Sequence, residues 1–180
     1  MTVQIRVIED ADGAAQVRGQ VGVLLAAAFA EPPYDRDPGE VEGMLGRFDR
    51  HSRKPGFRLT LVVDDGQAVA LAYGYTMPAN TGWWDDVLEP VPEDVAFEDG
   101  RRSLAVFELA VHPDRRREHL ATRVHEALLA ERGEQRVVLN VRQDAKPAQA
   151  AYAAWGYRRV TSVIPWQDAP VYDVMVLDLD

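Results

Sequence analysis

Cysteine is absent and positive charge is scarce. Without cysteine the chain has no disulfide, no thiolate metal site and no cysteine nucleophile, and a reducing, cytoplasmic location is the expectation. Twenty Lys and Arg against 29 Asp and Glu leave a formal charge of -9. Nucleic acid and anionic membrane surfaces demand concentrated positive charge, so neither is an expected partner, and a cationic small molecule fits better. Long apolar runs are missing too. The longest, Val21 to Ala30 with Gly22 inside it, falls far short of the roughly 20 residues of a membrane span. Met1 to Asp10 alternates like a strand and lacks the apolar centre of a signal peptide. No Gly-x-Ser-x-Gly, phosphate-binding loop or glycine-rich dinucleotide fingerprint occurs. His51, His112, His119 and His125 show no metal-ligand spacing, so no metal is expected. Neither an internal repeat nor a linker breaks the 180 residues, and one domain spanning 1–180 is the expectation.

What is present is ordinary globular material, 47% hydrophobic and 27% charged. Val3, Ile5 and Val7 alternate with polar neighbours and predict a half-buried strand. A helix follows from about Ala14 to Ala30 with Val17, Val21, Leu24, Leu25 and Ala28 on one stripe, stopped by Pro32 and Pro33. A second begins near Pro38 and buries Val41, Met44, Leu45 and Phe48. Phe57–Val63 and Ala68–Tyr75 flank Asp64-Asp65-Gly66 as a hairpin. Residues 79–100 are irregular and acidic. Strands over Ser103–Val111, Arg136–Val141, Tyr157–Ile164 and Tyr172–Leu179 and helices over 116–129 and 147–155 complete the chain, with Gly156 as a left-handed cap.

The stretch from Ser103 to Leu129 carries the chemistry. Ser103–Val111 is apolar apart from Ser103 and Glu108, the composition of a central strand. A carboxylate there is costly to desolvate, and unless paired its pKa rises, which suits a general base; a structural ion pair with Arg102 or Arg142 is the bland alternative. Beyond Pro113 a helix is expected from about Arg116. Its unpaired first-turn N–H groups and Arg115, Arg116 and Arg117 make the junction attractive to a phosphate.

Val111-x-Pro113-x-x-Arg116-x-x-x-Leu120-Ala121 resembles the acyl-CoA signature of the GCN5-related N-acetyltransferases (GNAT), with His119 and Arg117 where glycine is common. Pro147 to Tyr157 resembles the family's Ala-x-x-x-Tyr-x-x-x-Gly-Phe segment, with Tyr152 in the tyrosine place. The order of predicted elements is similar to the GNAT fold over nearly the whole chain. The resemblance implies an α/β (α+β) domain, a single mixed, curved, mostly antiparallel sheet flanked by helices and splayed between its fourth and fifth strands. It implies an N-acetyltransferase with acetyl-CoA as cosubstrate.

It also implies roles for residues. Glu108 takes a proton from the acceptor amine, and Tyr152 protonates the departing thiolate. The backbone of Leu109, Ala110 and Val111 bonds the pantetheine arm, while Arg116, Arg117, Glu118, His119, Leu120, Ala121 and Thr122 surround the pyrophosphate. Tyr34, Trp83 and Trp84 are candidates for the acceptor pocket, since aromatic faces with nearby acids hold amines; anchoring a loop is the equal alternative for the tryptophans. The acceptor is a small-molecule or peptide amine, and a homodimer is compatible. A GNAT-fold domain without catalysis, serving as a ligand-sensing or interaction module, is the rival that His119 and Arg117 raise and that Glu108 and Tyr152 oppose.

Overall fold

The first strand, β1 (Gln4–Ile8), lies at a sheet edge, pairing antiparallel with β2 (Arg58–Asp64). The expected buried face is not covered: Ile5 and Val7 are 38% and 51% exposed, and within the strand only Ile8 is buried. An edge strand has one covered neighbour at most, so alternation alone does not say which face a helix will cover. Helix α1 (Ala11–Phe29) starts three residues before the expected position, because Asp10 caps it by accepting from the Gly13 N–H. Its predicted stripe, Val17, Val21, Leu24, Leu25 and Ala28, is buried throughout. Helix α2 (Pro38–His51) opens with a reciprocal Asp37–Glu40 capping box and Pro38 in its first turn, and buries Val41, Met44, Leu45 and Phe48. The hairpin of β2 with β3 (Gln67–Thr76) turns on Asp65 and Gly66, both at positive φ (48° and 78°), the geometry that matches strand twist.

The described residues, 3–180 of this computed structural model, form two compact units. The first holds the chain up to Tyr75 together with Phe107–Arg132; the second holds Thr76–Val106 and Gly133–Asp180. In the first, α1 and α2 pack on each other and α4 (Leu120–Leu129) packs on β2, where Thr60 Oγ1 donates to the Val124 carbonyl at 2.7 Å. Arg58 donates to the carbonyls of Leu128 and Ala130, which satisfies acceptors that the end of α4 leaves open. The second unit contains the short α3 (Glu93–Ala96), α5 (Lys146–Ala154), β5 (Arg136–Arg142), β6 (Arg158–Val163) and β7 (Tyr172–Asp178). The turn of α3 lies inside the stretch expected to be irregular. Gly156, at φ 96°, ends α5 as expected.

Strand β4 (Ser103–Val111) contributes to both units. The strands lie in the order β1-β2-β3-β4-β5-β7-β6; β1 with β2, β2 with β3, β5 with β7 and β6 with β7 pair antiparallel, and β4 with β5 pairs parallel. That parallel ladder joins Ser103–Val106 to Arg136–Leu139 and ends there, although β4 continues to Val111 and β5 to Arg142. The interruption falls between the fourth and fifth strands, as the family resemblance implies. Among the described residues no helix is long and apolar enough to cross a membrane.

Candidate active site

Glu108 sits where β4 has left its parallel ladder, and its side chain is 13% exposed. Neither expected structural partner holds it. Arg102 is spent on the carbonyls of Asp94 and Phe97, and Arg142 on Asp144. The guanidinium that Glu108 meets belongs to Arg47 on α2, at 3.5 Å through one hydrogen bond, the long limit for such a bond. Burial pushes the carboxyl up to about 7, and the charges of Arg47 and Arg36 pull it down only in part. A group poised there exchanges protons at neutral pH, which is what a general base requires.

Aromatic rings surround this carboxylate's neighbours. Phe107 stacks on Tyr75 with centroids 4.8 Å apart and planes 19° apart, and the His51 ring lies 4.2 Å from Phe107. His51 Nδ1 lies 3.3 Å from the Tyr73 hydroxyl. Desolvation first, then the positive charges of Arg47, Arg50 and Lys54, lowers His51 to about 4, so it is neutral at pH 7. Tyr34 packs edge-on against Phe29 at 4.8 Å and rests on the apolar core.

The turn after β4 corrects the expected helix start. A 3₁₀ turn, Pro113–Arg115, is followed by extended Arg116, and α4 begins only at Leu120. The delay has a backbone cause, since Arg117 and His119 adopt positive φ, 65° and 59°, and cannot belong to a right-handed helix. These are the two places where the GNAT signature commonly has glycine. The chain therefore keeps the glycine-like path with side chains attached, at a cost of about 1–2 kcal/mol each. His119 offers no side-chain cap and the first turn of α4 has no acid, so its leading N–H groups fit a phosphate. The three arginines are not equivalent. Arg115 is clamped by Asp64 at 2.6 Å and by Glu118 at 2.9 Å, and Arg116, half-exposed, pairs with Glu31 at 2.8 Å. A cavity of about 480 Å³ beside this turn is lined by Gln20, Val23, Gly66, His112 and Arg115, and of the junction's three arginines only Arg115 reaches it.

The second unit holds Tyr152, Trp83 and Trp84. Tyr152 lies on α5, part-exposed, with its ring 5.7 Å from Trp155 and 5.4 Å from Tyr157. Trp84 is buried; its indole N–H donates to Glu98 at 3.3 Å and its ring lies under Arg136 at 5.4 Å. Those are the contacts of a loop anchor. Glu98 and Arg136, a buried pair 2.7 Å apart, were not singled out by their sequence positions. The available signal was an acid close before a strand whose neighbouring strand opens with arginine.

A model of the acetyltransferase (GNAT) family matches residues 24–157. The chain belongs to that family. Solved structures agree with this GNAT assignment at the level of fold. The ribosomal-protein-S18-alanine N-acetyltransferase of Escherichia coli aligns with a TM-score of 0.63 at 18% identity, over 99% of this chain and 95% of that one. The yncA protein of Salmonella typhimurium, solved with its cofactor acetyl-CoA, gives 0.60 at 13% identity over 100% and 95%. An aminoglycoside 6'-acetyltransferase type Ii gives 0.61 at 19% identity over 97% and 96%. No curated protein matches the sequence. Among the described residues no group of three or more His, Asp or Glu side chains is arranged to hold a metal.

Proposed function

We propose that this GNAT protein is an acetyl-CoA-dependent N-acetyltransferase acting on the amine of a small molecule or peptide in the cytoplasm. The observation that carries the reading is Glu108, a carboxyl on β4 raised to about 7 and held by one long hydrogen bond. Acetyl-CoA supplies the activated acetyl group as a thioester. The N–H groups at the start of α4 hold its phosphates, with Arg116 releasing Glu31 to join them, and Arg117, Glu118, His119, Leu120, Ala121 and Thr122 line that turn. The backbone of Leu109, Ala110 and Val111 bonds the pantetheine arm. Glu108 accepts the proton of the acceptor ammonium, directly or through one water, and so generates the neutral amine that attacks. Tyr152 gives a proton to the departing sulfur, a role that rests on its place in the GNAT segment. Tyr34 and Trp83 are the candidates for acceptor contact, while Trp84, buried against Glu98 and Arg136, anchors its loop.

Attack within one ternary complex fits a site with no cysteine, because the chain offers no thiol to carry the acetyl group. The test is thiol release from acetyl-CoA across amino acids, polyamines, aminoglycosides and peptide N-termini. Turnover with at least one, reduced by roughly 10²–10⁴ in Glu108→Gln at pH 7, is expected. Silence across the panel would favour the ligand-sensing module instead.

A further inference from the structure

The arginine beside Glu108 is under-used. Arg18 bonds both Glu42 and Asp49 at 2.9–3.0 Å, Arg58 bonds Glu9 and two carbonyls, and Arg115 bonds two carboxylates. Arg47 makes one hydrogen bond of 3.5 Å, and its side chain is 41% exposed. A guanidinium presents five N–H donors in a planar fork that fits a carboxylate by two parallel bonds. A pair serving stability would close to about 2.8 Å and use that fork. This one stays open, with donors to spare beside an acid that needs a cationic partner.

Three part-exposed rings adjoin the pair. His51 follows Arg47 by one helical turn of α2, and Phe107 precedes Glu108 on β4. With Tyr75 they form a continuous face, His51 lying 5.0 Å from Tyr75 and 4.2 Å from Phe107. Such a face accepts an apolar or aromatic group and offers no charge to a second ammonium.

Resting on the acetyl-transfer reading, we infer that the acceptor is an α-amino acid with an apolar or aromatic side chain, its carboxylate on Arg47, its ammonium on Glu108 and its side chain on the Tyr75–Phe107–His51 face. The α-amino and α-carboxylate groups are joined through one carbon, so a guanidinium and a carboxylate 3.5 Å apart can receive both at once. Arg47 is then the specificity-determining residue. Polyamines and aminoglycosides bring several positive charges and no carboxylate to that guanidinium, and are poor acceptors.

The experiment compares matched acceptors on the full chain with acetyl-CoA: phenylalanine and leucine against phenethylamine and isoamylamine, which lack the carboxylate, with spermidine added. The parent should prefer each amino acid over its amine by about 10- to 100-fold in kcat/KM, the scale of a hydrogen bond to a charged group. Arg47→Gln should collapse that ratio mostly through KM, and Arg47→Lys should restore part of it. The ratio is the readout because any change in Glu108 protonation affects both members of a pair alike. Thermal melts confirm that the variants fold. Amines or spermidine acetylated as well as amino acids, or a ratio unmoved in Arg47→Gln, overturns the inference and leaves the acetyl-transfer reading standing. Transfer to none of these acceptors or any other amine defeats that reading, and the inference with it.

Discussion

Glu98 and Glu108 are both carboxylates taken out of water, and they are solved differently. In the second unit Glu98, with a side chain 1% exposed, accepts from Arg136 at 2.7 Å, Ser103 at 2.8 Å and Trp84 at 3.3 Å, all on Oε1. Arg136 in turn donates to Ser103 and to the Val95 carbonyl. In the first unit Glu108 has one partner at 3.5 Å. The difference separates a carboxylate used to hold a loop from one left able to move a proton. The three donors on Glu98 all converge on Oε1, leaving Oε2 buried without a partner, whereas burial of Glu108 with one long bond lifts its pKa into the working range.

The largest expected effect breaks the comparison at its functional end. Glu108→Gln keeps the volume and removes the base, so acetyl transfer should fall roughly 10²–10⁴-fold at pH 7. Part of the rate should return at higher pH, where an amine of pKa near 10 supplies more of its own neutral form. Steady-state rates from pH 6 to 9 check this, and activity equal to the parent's would place the base elsewhere.

The structural end breaks differently. Arg136→Met removes the cationic partner of the buried Glu98 side chain, and should cost about 3–5 kcal/mol in urea unfolding. Adding Glu98→Leu to it should recover much of that loss, because no isolated charge then remains. A single variant as stable as the parent would mean that the pair does not hold the 79–100 segment.

How stability varies with pH sharpens the contrast. The Glu108 carboxyl rises from an ordinary 4.5 to about 7 on folding, so between those values the folded chain binds a proton that the unfolded chain does not. Its contribution is fully favourable below about 4.5, declines as pH rises toward 7, and is constant above. His51 and His125, both lowered to about 4 by burial, act in the opposite sense from about pH 4 to 6.5, where stability gains as pH rises. Comparing parent with Glu108→Gln cancels the histidines. Relative to the parent, the variant should gain up to about 3 kcal/mol between pH 4.5 and 8 in urea melts. A constant difference would remove the raised carboxyl from the account.

Much of this was legible beforehand. The stripes of α1 and α2, the Asp65-Gly66 turn and the bounds of β4 follow from period, turn chemistry and composition, which act locally. Glu108 stood out because an acid in an apolar strand is costly wherever the strand packs. What was not legible depends on long-range pairing. Arg47 lies 61 positions from Glu108 and Glu98 lies 38 from Arg136, and no periodicity joins them. The exposure of β1 outside Ile8 is a consequence of sparse tertiary cover at an edge. The late start of α4 arose because Arg117 and His119, side chains that favour right-handed backbone, take left-handed positions.

That strain gives the smallest prediction. His119→Gly removes a penalty at φ 59° but adds backbone freedom to the unfolded chain. The net gain should be about 0.5 kcal/mol, read from the shift of the urea midpoint at constant slope. A loss of stability would show that the imidazole contributes contacts of its own.

Glu108 is a buried carboxyl placed to exchange its proton near neutrality. Labelling glutamate side-chain carboxyl carbons and following Glu108 by NMR from pH 3 to 9, with Glu108→Gln to assign the signal, tests it directly. A midpoint near 7 is expected. A midpoint between 4 and 5, the range of an ordinary glutamate, would contradict it.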